Sequence, residues 1–232
     1  MSLIIENATL AYNKKGKIIN DLSAQLQAGS VVGLVAPNGS GKTTLMRGIN
    51  RDILLKSGKI ILSNSETIFF LENQDSLFPM LTVKEMLNFV SDSWHSKYTS
   101  QEVVDLLDIS DFQNKKIVDL SLGMRQMVMI GVYLIVDSEI MLFDEPINGL
   151  DQVNMTIVAK IMMNLKYDGK IILVSSHLLD NLSEFVDQFW FLKNGHLIKQ
   201  MDNPHDSIRV KKDYIKIYGK GESNSNEDTN DI

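Results

Sequence analysis

With 232 residues, 44% of them hydrophobic, and a formal net charge of −6, the chain has the make-up of one large globular domain. It lacks the basic surplus of a nucleic-acid binder. Absence of cysteine excludes a disulfide framework and thiolate metal sites. No apolar run approaches the roughly 18 residues of a membrane span, and the opening MSLIIENATL has neither the basic lead nor the apolar centre of a secretory signal, so a cytoplasmic single-domain protein is expected.

In chain order, LIIENATLAY (3–12) and IINDLSAQL (18–26) partly alternate apolar and polar residues around NKKGK, the pattern of two antiparallel strands joined by a turn. VVGLV (31–35) is an unbroken apolar run, as a strand buried on both faces requires, and Leu45, Met46 and Ile49 share one side of a following helix. KIILS (59–63) and TIFFL (67–71) predict two further strands. From about Asn73 to Ile135 the apolar spacing lengthens to three and four residues, in VKEMLNFVSD and SQEVVDLLDI, so an inserted helical subdomain is expected over about 73–135. MVMIGVYLIV (127–136) stops at Asp137 and predicts a buried helix. Strand texture returns at EIMLFDE (139–145) and KIILVSSH (170–177), with Ile157, Val158, Ile161, Met162 and Leu165 on one helical face between them. FWFLKNGHLI (189–198) predicts a hairpin turning at Asn194–Gly195. Strands alternating with helices define an α/β domain with a mainly parallel sheet. It is expected to span 1–212, followed by a polar tail over 213–232 whose end, GKGESNSNEDTNDI, is too poor in apolar groups to fold.

APNGSGKT (36–43) lies between the VVGLV strand and the helix after it. It matches the phosphate-binding pattern G-x-x-x-x-G-K-[ST] everywhere except the first position, Ala36. Backbone N–H groups of such a loop converge on an anion, and the helix N-terminus adds its positive dipole end. Gly39 and Gly41 supply a tight positive-φ backbone with no Cβ in the way. Lys42 is placed to reach the β/γ-phosphates and the Thr43 hydroxyl to bind Mg²⁺. Alanine fits position 36 provided that φ stays negative there. Further along, IMLFDE ends a buried strand in two acids. Asp144 is expected to hold Mg²⁺ through its water shell, and Glu145 to orient or deprotonate an attacking water. ATP and Mg²⁺ are the expected cofactors.

These residues resemble those of the ATP-binding cassette (ABC) ATPases, the motor subunits of ABC transporters. SLFPMLTVKEML resembles the segment after that family's Q-loop, LSLGMRQ (120–126) its signature LSGGQ-[KR]-Q, and EPINGLD (145–151) its proline turn and D-loop. Tyr12 and His177 match the aromatic that stacks on adenine and the switch histidine, and the resemblance covers residues 3 to about 200. It implies a P-loop NTPase core with an N-terminal antiparallel β subdomain. It further implies nucleotide contacts from Asn38, Gly39, Ser40, Gly41, Lys42, Thr43 and Thr44, with Tyr12 on the base. In that family two cassettes close head to tail, so Ser121 and Gly123 are expected to bind the γ-phosphate held by a second cassette, and Asp151 to tie the site to the opposite chain. Glu145, His177 and Lys42 are the implied catalytic set. Thr43, Asp144 and an amide at Asn73 or Gln74 are the implied metal set.

The pattern departs in places. Leu122 replaces the signature's first glycine and Met124 its glutamine, and the SLGM-[KR]-Q form resembles the branch that exports peptides. Counting back six residues from Pro79 reaches Asn73, with Gln74 one place further on, and both stay open as the Q-loop amide. The implied function is a Mg-dependent ATPase, the nucleotide-binding subunit of an exporter of peptides or other amphipathic substrates. It would lie on the inner face of the cell membrane through separate multi-span subunits, with no nucleic-acid partner. A soluble ABC ATPase acting on DNA or ribosomes would carry tandem cassettes or a long coiled-coil insertion. A poorly hydrolysing regulatory cassette would suit Ala36, Asn73, Leu122 and Met124, but Glu145 and His177 are both present.

Overall fold

Alternation along the first two predicted strands becomes a twisted antiparallel layer in the computed structural model, which describes residues 1–12, 16–63 and 67–219. β1 (Ser2–Leu10) pairs with β2 (Ile19–Gln27) on one edge and with β4 (Leu55–Leu62) on the other, antiparallel in both cases. Leu3 and Ile5 of β1 and Leu22 and Leu26 of β2 point inward and are buried, as the period-2 pattern requires.

The second sheet has the order β5–β6–β7–β3–β8–β9, formed by Ile68–Phe70, Ile140–Asp144, Ile171–Ser175, Ser30–Val35, Gln188–Lys193 and His196–Asp202. All its pairs are parallel except β8 with β9, which is the hairpin expected at Asn194–Gly195. Its central strands are buried on both sides. Val32, Leu34, Leu142 and Leu173 face the antiparallel layer and α1 (Lys42–Ile49), packing with Leu45, Met46 and Ile49. Val31, Val35, Phe143 and Val174 face the opposite way, onto the helices.

Between β5 and β6 come α2 (Val83–Trp94), α3 (Ser100–Leu106) and α4 (Leu122–Val136). The first two start at capping boxes, Thr82 with Glu85 and Thr99 with Glu102, in which side chain and backbone exchange hydrogen bonds across the first turn. α4 is apolar on every face, with all residues from Gln126 to Ile135 buried, and it runs through the middle of the helical layer. Asp137 stops it in a left-handed conformation, φ 50, and the Lys170 ammonium donates to the Asp137 carbonyl at 2.7 Å. No helix among the described residues is long and apolar enough to cross a membrane.

α5 (Gln152–Tyr167) buries Val158, Ile161, Met162 and Leu165 as its pattern predicts, and the short α6 (Leu179–Leu182) follows β7. α7 (Ser207–Tyr218) runs straight across the boundary expected at 212. Val210 is fully buried, Tyr214 and Tyr218 pack against the core, and the Tyr218 hydroxyl lies 2.9 Å from the carbonyls of both Val35 and Leu192. Spacing of four residues between these apolar positions makes a helical stripe, which the surrounding lysines obscure in the sequence. The end of the expected tail, 220–232, lies outside the described residues.

Candidate nucleotide site

The carboxyl ends of β3, β6 and β7 meet at one edge of the parallel sheet, the place where open α/β sheets hold ligands. From β3 the chain passes through Ala36, which is buried and does not take a positive φ, so its Cβ is accommodated. Gly39 and Gly41 do take positive φ, 76 and 101. An added Cβ on Gly39 would meet nothing within 4 Å, so the loop presents bare backbone to open space. Lys42 begins α1, is buried, and its ammonium donates to the Ala36 carbonyl at 2.9 Å. Asn38, Gly39, Gly41, Lys42, Asp144 and Glu145 border a cavity of about 420 Å³ that Ser40, Thr43 and Thr44 complete.

Asp144 ends β6 opposite Ser175 of β7. One of its oxygens accepts from the Thr43 hydroxyl and the other from the Ser175 hydroxyl. Glu145 follows in a left-handed conformation, φ 51, which is costly for a residue with a Cβ. Its backbone N–H is held by the Ser175 hydroxyl at 3.0 Å and the Ser175 carbonyl at 3.1 Å. The turn aims its carboxylate back over the loop. Oε2 lies 3.0 Å from Nδ1 of His177, and Oε1 lies 3.6 Å from the Lys42 ammonium, beyond hydrogen-bond distance. Oε1 is buried and has no hydrogen-bond partner.

This donor set fits a nucleotide with its metal. Bare backbone, an ammonium and a helix N-terminus suit an anion. A hydroxyl and one aspartate suit Mg²⁺, which keeps several waters and relies on substrate phosphates. No group of three His, Cys, Asp or Glu side chains among the described residues could hold a metal by itself.

A second cavity, of about 370 Å³, shares Asp144 and Glu145 with the first and is bordered on its far side by Asn73, Gln74 and Gln126. Gln74 spends its amide on α4. Its Nε2 donates to Gln126 Oε1 at 2.9 Å and to the Leu122 carbonyl at 3.2 Å, and its Oε1 accepts from Arg125 Nε at 3.0 Å. Asn73 accepts from the Asp75 N–H at 2.9 Å, capping a turn of 3₁₀ helix.

Tyr12, Ser121, Gly123 and Asp151 border neither cavity. Ser121 caps α4, accepting from the Met124 N–H at 3.2 Å, and Asp151 caps α5, accepting from the Asn154 N–H at 2.8 Å. Gly123 is pressed against the backbone of Gly149 in the loop before α5. The Tyr12 hydroxyl accepts from Arg47 at 3.0 Å; hydrogen bonds to Glu72 and then to Tyr12 raise the Arg47 pKa above its usual value.

Two groups at this edge escape a reading by motif. Ser175 reads in the sequence as the last residue of a buried strand, and its one signal is its place two residues before His177. Arg47 and Glu72, 25 residues apart, carry no pattern that would pair them.

A parallel sheet carrying a glycine-rich loop after one strand and an Asp–Glu pair after another defines a P-loop nucleotide-binding domain. A profile of the ABC transporter family matches residues 19–148, more than half of the chain. The chain is 30% identical over 233 aligned residues to an ABC transporter ATP-binding protein of Listeria monocytogenes serotype 4b, covering 92% of this chain and 86% of that one. It is 26% identical to the lantibiotic transport ATP-binding protein SrtF of Streptococcus pyogenes, over 86% of this chain and 90% of that one. Its fold superposes with a TM-score of 0.75 on the ATP-binding cassette MJ0796 in a dimeric post-hydrolysis state bound to ADP and Pi, at 22% identity and covering 86% and 98% of the two chains. The chain therefore belongs to the ABC transporter family and is one of its ATP-binding ATPase cassettes.

Proposed function

We propose that two such cassettes close head to tail around two ATP molecules, and that binding and hydrolysis there drive export of a peptide or other amphipathic substrate through separate membrane subunits. The observation that carries this is the isolation of Ser121 and Gly123 from the phosphate cavity of their own chain. They sit at the start of a 15-residue helix whose first turn holds no acidic side chain, an N–H-rich end suited to a phosphate presented by another copy. The dimeric state of the MJ0796 cassette supports the arrangement, and the lantibiotic transport role in the name of SrtF supports export.

Within each copy, the N–H groups of residues 39–44 and the Lys42 ammonium hold the phosphates, and Tyr12, anchored through Arg47, offers its ring to the adenine. Thr43 and Asp144 hold Mg²⁺, with the amide oxygen of Asn73 or Gln74 beside them; each of those oxygens accepts one hydrogen bond within the chain, from the Asp75 N–H and from Arg125. When bound, Mg²⁺ neutralises phosphate charge. Glu145 Oε1, buried and without a hydrogen-bond partner, is the acceptor for a proton of the attacking water, while His177 steadies Oε2. Asp151 meets the opposite chain.

An exposed apolar patch on and before α2 supports a membrane partner at this face. Phe78 and Phe89 stack edge to face with ring centroids 5.4 Å apart, both about half exposed, and Met80 lies open nearby. A cytoplasmic helix of a membrane subunit would cover them, holding the cassette on the inner face of the membrane. Tagged protein extracted from host membranes in mild detergent should bring down a multi-span protein in near-equal amount. Recovery from the soluble fraction alone would overturn the transporter reading.

A further inference from the structure

We propose that Ser175 is the positioning residue that locks the metal-side carboxylate of Asp144 and the backbone of Glu145 into one unit. This rests on the nucleotide site proposed above. Ser175 is completely buried, ends β7, and lies in register with Asp144 on one side and with Leu34 of β3 on the other. A hydroxyl has one hydrogen to give. Here that hydrogen goes to Asp144 Oδ1, so the lone pairs are left for the Glu145 N–H at 3.0 Å.

The consequences differ for the two acids. With Oδ1 bound by Ser175 and Oδ2 by Thr43, the Asp144 carboxylate is held at both oxygens, and Oδ2 sits beside the hydroxyl that would bind Mg²⁺. At Glu145 the hydroxyl bond helps to retain the left-handed turn, φ 51, that brings the carboxylate within 3.0 Å of His177. The neighbouring Ser176 makes a different contact: its hydroxyl accepts from the Leu178 N–H at 3.0 Å. Partners that orient metal ligands in this way are typically worth roughly 10–100-fold in metal affinity.

Ser175→Ala keeps the Ser175 carbonyl bond to the Glu145 amide, 3.1 Å in the native chain, so the turn retains a partner and the variant is expected to fold. The test uses the full chain and Mn²⁺ as the probe, read by electron paramagnetic resonance in the presence of ADP, with ADP affinity measured separately in a chelator. The expected result is Mn²⁺ binding weakened by roughly 10–100-fold in Ser175→Ala with metal-free ADP affinity unchanged, and wild-type Mn²⁺ binding in Ser176→Ala. Unchanged Mn²⁺ binding in Ser175→Ala would overturn the proposal. So would an equal loss in Ser176→Ala, which would point to general loosening of the strand end. Failure of the wild-type chain to bind ADP would remove the nucleotide site itself, and is thereby distinct from failure of Ser175 alone.

Discussion

Gly123→Ala probes the contact between the start of α4 and the loop before α5. An added Cβ would lie 2.6 Å from the Gly149 carbonyl oxygen, where ordinary contact begins near 3.4 Å, so the two segments must part by about 0.8 Å. The obstructing atom belongs to the backbone, and no side-chain rotation relieves it. Gly149 is itself constrained, with φ 76 and the Leu122 side chain closing over it. Overpacking of this kind costs about 1–3 kcal/mol, and a misplacement approaching 1 Å at a reacting site lowers a rate by up to about 10²-fold. Gly123 does not border the phosphate cavity, so nucleotide affinity of the single chain should not change. The expected outcome is a lower urea midpoint and ATP turnover reduced by roughly 10–100-fold, with ADP affinity at the wild-type value. Wild-type stability and turnover would refute the contact as a constraint, and loss of ADP affinity would refute the separation of signature and phosphate loop.

Glu145→Gln removes the proposed proton acceptor while keeping the shape, so turnover should fall by about 10²–10⁴-fold with ATP binding retained; a steady-state ATPase assay beside equilibrium ATP binding checks this. In Tyr133→Phe, the Leu71 N–H, which donates to the hydroxyl at 2.9 Å, and the Leu142 carbonyl, which accepts from it, lose a buried partner. Urea unfolding should show a loss of about 1–3 kcal/mol. Burial raises the Tyr133 pKa, so the hydroxyl remains a donor and the loss should be the same at neutral and at mildly alkaline pH. Burial works to raise the pKa of Glu139 also, but bonds from the Thr67 hydroxyl and N–H, with lesser help from the Glu139 N–H and the Lys170 charge, together outweigh it and leave the carboxyl below 4.5. A depressed folded-state value means that this stabilisation is complete above pH 4.5 and fades as pH falls through the lower folded value. Thr67→Val should therefore destabilise the chain at neutral pH, and its difference from wild type should shrink on acidification; a difference independent of pH would refute the assignment.

The sequence by itself determined the order of strands and helices, because burial on one or both faces writes a period into the chain that needs no partner to be seen. It determined the phosphate loop too: Gly39 and Gly41 are there for a local backbone shape, and Lys42 follows at fixed spacing. Asp144 and Glu145 were legible as the polar end of an apolar run. The opposite case is α7, where lysines around Val210, Tyr214 and Tyr218 hid a helical stripe until the core showed what those residues pack against. Only tertiary structure decided that β7 runs between β3 and β6, since strand order in a parallel sheet is set by how crossover helices pack and leaves no mark on spacing. That placement gives a plain serine at position 175 its hold on both acids. Tertiary structure also ties the Gln74 amide to α4 through Arg125 and Gln126, more than 50 residues away. Contacts between distant segments depend on the whole packed chain, and one-dimensional spacing does not carry them.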